Sequence, residues 1–121
     1  MDNIVRQTAL KDIQPMKMSV EDFIESFNKK EAILLDIRMP FETEVWGFGF
    51  TTKIPYNALP DSLEELPKDK LLVCACPNEY RANMAKEYLR LKGYKAKTLD
   101  GGLLGLAERL KGGKAKDISL G

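Results

Sequence analysis

Apolar residues fall along this chain in two ways: as short unbroken blocks, and as stretches where they recur every three or four positions. Ala32-Ile33-Leu34-Leu35-Asp36-Ile37 and Leu71-Leu72-Val73-Cys74-Ala75 are blocks of the first kind. Runs this short, without polar alternation, predict strands buried on both faces, as in parallel sheets. Ala96 to Leu99 predicts another strand, Met16-Lys17-Met18 a short edge strand, and Lys53-Ile54-Pro55-Tyr56 a further short one. Val20, Phe23, Ile24 and Phe27 lie at helical spacing, so a helix is expected over 20–29, opened by Ser19 with Asp22 behind it. Met84, Ala85, Tyr88, Leu89 and Leu91 mark one side of a second helix that stops at Gly93. Leu103, Leu104, Leu106 and Leu110 build a last one, ended by Gly112-Gly113. Pro40 to Trp46 and Pro60 to Leu66 are expected as short helices. Strand and helix alternate throughout. That order predicts an α/β fold with a central parallel sheet of about five strands, helices on both faces and right-handed crossovers.

The stretch KLLVCACPNEYRANMAKEYLRLKGY, residues 70–94, carries the candidate chemistry. Its strand runs into Cys76-Pro77-Asn78-Glu79-Tyr80-Arg81, so a cysteine stands where the chain turns from strand to helix. The first N–H groups of a helix lack internal partners, and the helix dipole is positive at that end. A sulfur held there meets donors that favour an anion. Arg81 adds a full positive charge. Cys76 is therefore a candidate nucleophile, its thiolate presented in a small electropositive nest at the mouth of the sheet. The alternative is a buried cysteine used as a small apolar residue. Cys74 is expected on the same side of the strand, either as core packing, the simpler reading, or as a thiol that resolves an oxidised or persulfidated Cys76.

Composition narrows the function classes. A chain of 121 residues suits one domain with one core. Its net charge of +1 suggests neither nucleic acid nor an anionic membrane as partner. No apolar stretch reaches membrane-spanning length, and MDNIVRQTALKDIQP lacks the apolar block of a signal peptide. Two cysteines two positions apart on a strand suit no structural disulfide, so a reducing cytoplasm is expected. The chain has no histidine, which removes Cys-His proteases. CxC without a second pair is a weak metal signal, and no metal or other cofactor is expected.

Asp36 and Arg38 stand at the C-terminal end of the second strand, the end where open α/β sheets bind ligands. Arg38 is read as structural, bridging to Asp36, Glu42 or Glu44. Trp46, Phe48 and Phe50 form either an apolar wall beside the site or, as the simpler reading, part of the core.

The segments LLDIRMPFE, IPYNALPDSLEELPKDK, LLVCACPNEYRANMAKEYLRLKGY and LDGGLLGL, in this order and spacing, resemble a single rhodanese domain over residues 16–112. Residues 1–15 are then an N-terminal extension and residues 113–121 a mobile polar tail. The resemblance implies the rhodanese-like three-layer fold. It implies a sulfurtransferase in which Cys76 takes sulfane sulfur from thiosulfate, polysulfide or a persulfide, holds it as a persulfide and passes it to a thiophilic acceptor. Pro77, Asn78, Glu79, Tyr80 and Arg81 would cradle the outer sulfur, with Asp36, Arg38 and Glu42 as structural neighbours. The partners implied are small-molecule or protein sulfur donors and acceptors. Thiolate attack on sulfur needs no general base once the thiol is ionised, so a chain without histidine suits it.

Cysteine-dependent phosphatases share the strand-loop-helix but place five residues between cysteine and arginine, where this chain has four. The shorter loop suits one sulfur atom rather than a tetrahedral phosphate. The chain departs from the rhodanese pattern at Pro77, which removes an N–H from the cradle, and at Glu79, where the family often has glycine. It departs also at Ala82, in place of a hydroxyl residue, and over GFGFTTK. Glutamate at 79 would be strained if that position required positive φ, and its charge would repel a dianion unless Arg81 neutralised it. These departures motivate an alternative to the enzyme, a non-catalytic rhodanese-like module that binds or regulates a partner.

Overall fold

The computed structural model describes residues 16–121, and the extension expected over residues 1–15 lies outside the described residues. In chain order it contains β1 (Lys17–Met18), α1 (Val20–Asn28), β2 (Ala32–Asp36), α2 (Pro40–Thr43), β3 (Thr52–Lys53), α3 (Leu59–Ser62), β4 (Leu71–Ala75), α4 (Tyr80–Leu91), β5 (Ala96–Leu99) and α5 (Gly102–Leu110). The strands form one parallel sheet in the order β1-β5-β4-β2-β3, as the alternation of elements predicts. β4 is thus the central strand. Its register against β2 runs from Ala32↔Leu71 to Asp36↔Ala75, so the two chains leave the sheet level with one another.

Both faces of the sheet are covered, which is why its strands read as unbroken apolar runs. Leu72 and Cys74 of β4 face Ala82, Ala85 and Leu89 of α4. Val73 and Ala75 face Phe23 and Ile24 of α1 and Leu103 and Leu106 of α5. α1 starts where expected, with the Asp22 N–H donating to the Ser19 hydroxyl at 3.1 Å.

Several boundaries differ from expectation, each for a local reason. β3 is Thr52–Lys53, because Pro55 has no N–H to continue a ladder and Tyr56–Ala58 winds into a 3-10 turn. α2 ends at Thr43 rather than near Trp46, and Pro60 to Leu66 divides between α3 and a 3-10 turn at Leu63–Glu65. Phe48 and Phe50 pack with Phe27 against the α1/α5 layer, on the face opposite α4.

The tail expected to be mobile from residue 113 is docked instead. Gly112–Asp117 forms 3-10 turns and Ile118 is buried against the α1/α5 layer. The Asn28 amide holds both sides of the segment, donating to the Asp117 carbonyl at 2.8 Å and accepting from the Ser119 N–H at 2.8 Å. Arg109 reaches Asp117 at 3.0 Å. One apolar side chain, one two-sided amide and one ion pair anchor a segment of mostly polar and small residues.

Candidate active site

Cys76 leaves the C-terminal end of β4 and its side chain lies on the α4 face of the sheet, in the same cluster as Ala82, Ala85 and Leu89. It has no exposed surface, so the sulfur is not presented openly at the sheet mouth as the sequence suggested. The helix that follows closes over it. One first-turn amide is nevertheless aimed at the sulfur: the Ala82 N–H donates to Sγ at 3.4 Å. The Asn78 Oδ1 lies 3.9 Å from Sγ and also accepts the Tyr80 N–H at 3.4 Å.

The carbonyls of the loop point the other way. The Leu103 and Leu104 N–H groups, at the start of α5, donate to the carbonyls of Cys76 at 2.8 Å and Pro77 at 3.2 Å. In a trans peptide the carbonyl and the following N–H are antiparallel. Fixing the Pro77 carbonyl toward α5 therefore turns the Asn78 N–H away from α5. Pro77 itself contributes no N–H.

Arg81 stands in the first turn of α4, and its guanidinium lies within electrostatic reach of Cys76. It is held by Glu42 of α2 in a two-point pair, Nη1 to Oε2 at 2.7 Å and Nη2 to Oε1 at 2.9 Å. The Arg81 guanidinium beside Glu42 holds that carboxyl below the usual range, helped by the Met39 N–H at 3.0 Å. Asp36 and Arg38 form a second, buried pair at the end of β2, Nη2 to Oδ2 at 2.8 Å. Arg38 also donates to the Trp46 carbonyl at 2.7 Å and lies under the Trp46 ring at 4.3 Å.

Glu79 meets neither the strain nor the partner anticipated for it. Its φ is −130°, and among the described residues only Lys30 has positive φ without being glycine. Its carboxylate pairs with Lys17 of β1 at 2.8 Å and accepts the Gly101 N–H at 3.2 Å, so Lys17 and not Arg81 neutralises it. Lys17 first, and the Gly101 amide second, hold the Glu79 carboxyl below its ordinary value. Tyr80, the first helical residue, is largely exposed.

No family model matches the chain. A protein named sulfurtransferase from Allochromatium vinosum is 30% identical over 79 residues, which make up 64% of this chain and 74% of that protein. The chain belongs to the rhodanese-like sulfurtransferase family. A rhodanese-related protein from Thermoplasma volcanium has the same fold, with a TM-score of 0.69 at 26% identity over 77% of this chain and 91% of the other. A tRNA uridine(34) hydroxylase from Erwinia tasmaniensis is 31% identical over 88 residues, 67% of this chain but only 25% of that protein.

Within this rhodanese-like chain the second cysteine has a settled environment. Cys74 is wholly buried, and burial pushes its thiol up to about 12. It packs against β2 and α4, an enclosure that disfavours its thiolate. Both cysteines are free thiols.

Two parts of the site were not read from the sequence. Lys17 lies sixty-two positions before Glu79, and its pairing depends on β1 joining the sheet at its edge. The first turn of α5 holds the loop carbonyls, and its signal was present in Gly101-Gly102. Gly102 has φ +63°, and a Cβ there would come within 2.0 Å of the Asn78 carbonyl oxygen and 2.7 Å of that of Cys76. Among the described residues no helix is long and apolar enough to cross a membrane.

Proposed function

We propose that this chain transfers sulfane sulfur through a persulfide on Cys76. The observation that carries the reading is the Ala82 N–H aimed at Sγ from the first turn of α4, at the C-terminal end of the central strand. A donor of that kind stabilises negative charge on sulfur, the thiolate before attack and the persulfide after it. The Cys76 thiolate attacks the outer sulfur of the donor. The new Sγ–S bond forms as the donor's S–S bond breaks, and the electron pair leaves with the donor's remaining thiolate, or with sulfite where thiosulfate is the donor. The acceptor nucleophile repeats the step on the persulfide, returning the Cys76 thiolate. Because Sγ is covered in the resting chain, the 76–81 loop opens to admit the donor. Small-molecule or protein donors and acceptors suit this chemistry, and a reducing compartment such as the cytoplasm keeps both thiols free.

The burial of Cys76 and the engagement of Arg81 by Glu42 support a second reading, a rhodanese-like module that binds or regulates a partner without transferring sulfur. One experiment separates the two. The protein is incubated with thiosulfate, polysulfide or glutathione persulfide, and its intact mass and peptide map are read by mass spectrometry. Transfer adds one sulfur atom at Cys76 and none at Cys74. A chain that gains no sulfur at Cys76 with any donor is the module.

A further inference from the structure

Among the described residues nine large apolar or aromatic side chains are exposed, and six of them lie on segments joined to the Cys76 loop: Phe41, Val45, Trp46, Tyr80, Met84 and Leu104. Phe41, Val45 and Trp46 lie in or just after α2, within four positions of Glu42. Tyr80 and Met84 lie one position before and three after Arg81, on the first turns of α4. Leu104 flanks the loop from the other layer, where its N–H holds the Pro77 carbonyl. The Glu42–Arg81 pair joins the α2 and α4 groups beyond the adjacent ends of β2 and β4. Exposed apolar side chains scattered singly are ordinary; a cluster around one reactive residue marks a contact surface.

The charges at this surface are matched. Arg81 is engaged by Glu42, Arg38 by Asp36, and Lys17 by Glu79. The cations on the elements that meet at the Cys76 loop are thus paired, and a small dianion gains little by approaching it.

Resting on the sulfur-transfer reading above, we propose that this apolar rim is a docking surface for a protein that carries its sulfur on a cysteine set in an apolar, weakly charged surface. Such a donor is a polypeptide persulfide, RS–SH. The Cys76 thiolate takes its outer sulfur and RS⁻ leaves, with no net oxidation of the pair. The rim supplies contact area that a small oxyanion cannot use, and the three matched ion pairs repel neither partner.

The test compares persulfide donors on the full chain. The probes are a short synthetic peptide with a central cysteine persulfide flanked by leucine and phenylalanine, the same peptide with glutamate flanks, glutathione persulfide, and thiosulfate. Single-turnover rates are read as sulfur gained on Cys76 by mass spectrometry. The apolar-flanked peptide is expected to react about tenfold faster than the glutamate-flanked one, the scale that burial of a few apolar side chains provides. The combined variant Phe41→Ser, Val45→Ser, Met84→Ser removes that advantage and leaves the glutathione persulfide rate unchanged. These side chains are exposed, so the thermal transition of the variant stays with that of the parent. Equal rates for the two peptides overturn the docking surface, as does a rim variant that keeps its preference. If Cys76 gains sulfur from no donor at all, the transfer reading itself fails and the inference with it.

Discussion

The Arg81 guanidinium and the Glu42 carboxylate face each other through two near-parallel contacts of 2.7 and 2.9 Å, joining α4 to α2 above the ends of the central strands. The pair does two things at once. It ties the connection after β2 to the one after β4, and it engages a guanidinium that lies within electrostatic reach of Cys76. Releasing that charge is a direct test. In Glu42→Gln the guanidinium is free to meet an anion, so single-turnover sulfur uptake from thiosulfate is expected to rise about tenfold, the effect of one unit charge near a surface site. The double variant with Arg81→Ala loses the gain. Uptake from thiosulfate that is the same in all three proteins would show that Arg81 does not reach the reacting sulfur.

Glu79 and Lys17 predict a pH dependence. The Glu79 carboxyl is held below its ordinary value by Lys17 and by the Gly101 amide, so the pair stabilises the fold when the carboxyl is charged in both states. For a depressed carboxylate that contribution is complete above about pH 5 and fades as pH falls through the lower folded value. Lys17 is raised, first by Glu79, so its share is complete below about pH 10 and fades above it. Both side chains are partly exposed, which limits the pair to about 0.5 kcal/mol. Glu79→Gln should therefore unfold more easily in urea than the parent at pH 7, and the gap should close as pH falls below the ordinary carboxyl range. Hydrogen exchange of the 76–81 amides should quicken in the variant at pH 7. A gap that persists at low pH would place the effect elsewhere than the charge.

Gly102 and Gly105 offer a matched pair of substitutions on one helix. At Gly102 a methyl group meets two loop carbonyls at 2.0 and 2.7 Å, and the backbone already has φ +63°. Gly102→Ala should cost about 2–3 kcal/mol in urea unfolding and move the Cys76 loop. At Gly105 the same methyl group makes only ordinary contacts, the nearest at 3.9 Å. Gly105→Ala should be neutral or stabilising by up to about 1 kcal/mol, the difference in helix propensity. If both substitutions cost alike, the close approach of α5 to the loop is not what Gly102 serves.

The contrast between local and distant information explains what the sequence revealed of this fold. The blocks 32–37 and 71–75 announced buried strands because each is apolar on both faces, a property written in consecutive residues. The position of Cys76 at a strand end was legible for the same reason. Partners were not. Glu42–Arg81 and Lys17–Glu79 join residues thirty-nine and sixty-two positions apart, and which charge meets which depends on the sheet order. The closure of α4 over the sulfur also escaped, since helical spacing gives the face of Ala82 and Ala85 but not how near it lies to β4. The tail misled because seven polar or small residues outweigh the one buried Ile118 in composition, although that residue, the Asn28 amide and Arg109 hold its place.

Cys74 tests whether the second thiol belongs to the chemistry or to the core. It is fully buried beside β2 and α4, with its thiol pushed up to about 12, so it stays protonated across the working range. A buried thiol whose ionisation is pushed up in this way is a poor nucleophile toward a persulfide on Cys76. Cys74→Ala should leave sulfur loading and release at Cys76 unchanged. It should lower unfolding stability by about 1–2 kcal/mol, from the small cavity left in the sheet. Cys74→Ser should cost more, because it places a hydroxyl in the same apolar enclosure. Paired measurements of intact mass during turnover and of urea midpoints separate the two roles. A Cys74→Ala protein that loads normally but fails to release its sulfur would assign Cys74 a part in transfer and contradict its reading as packing.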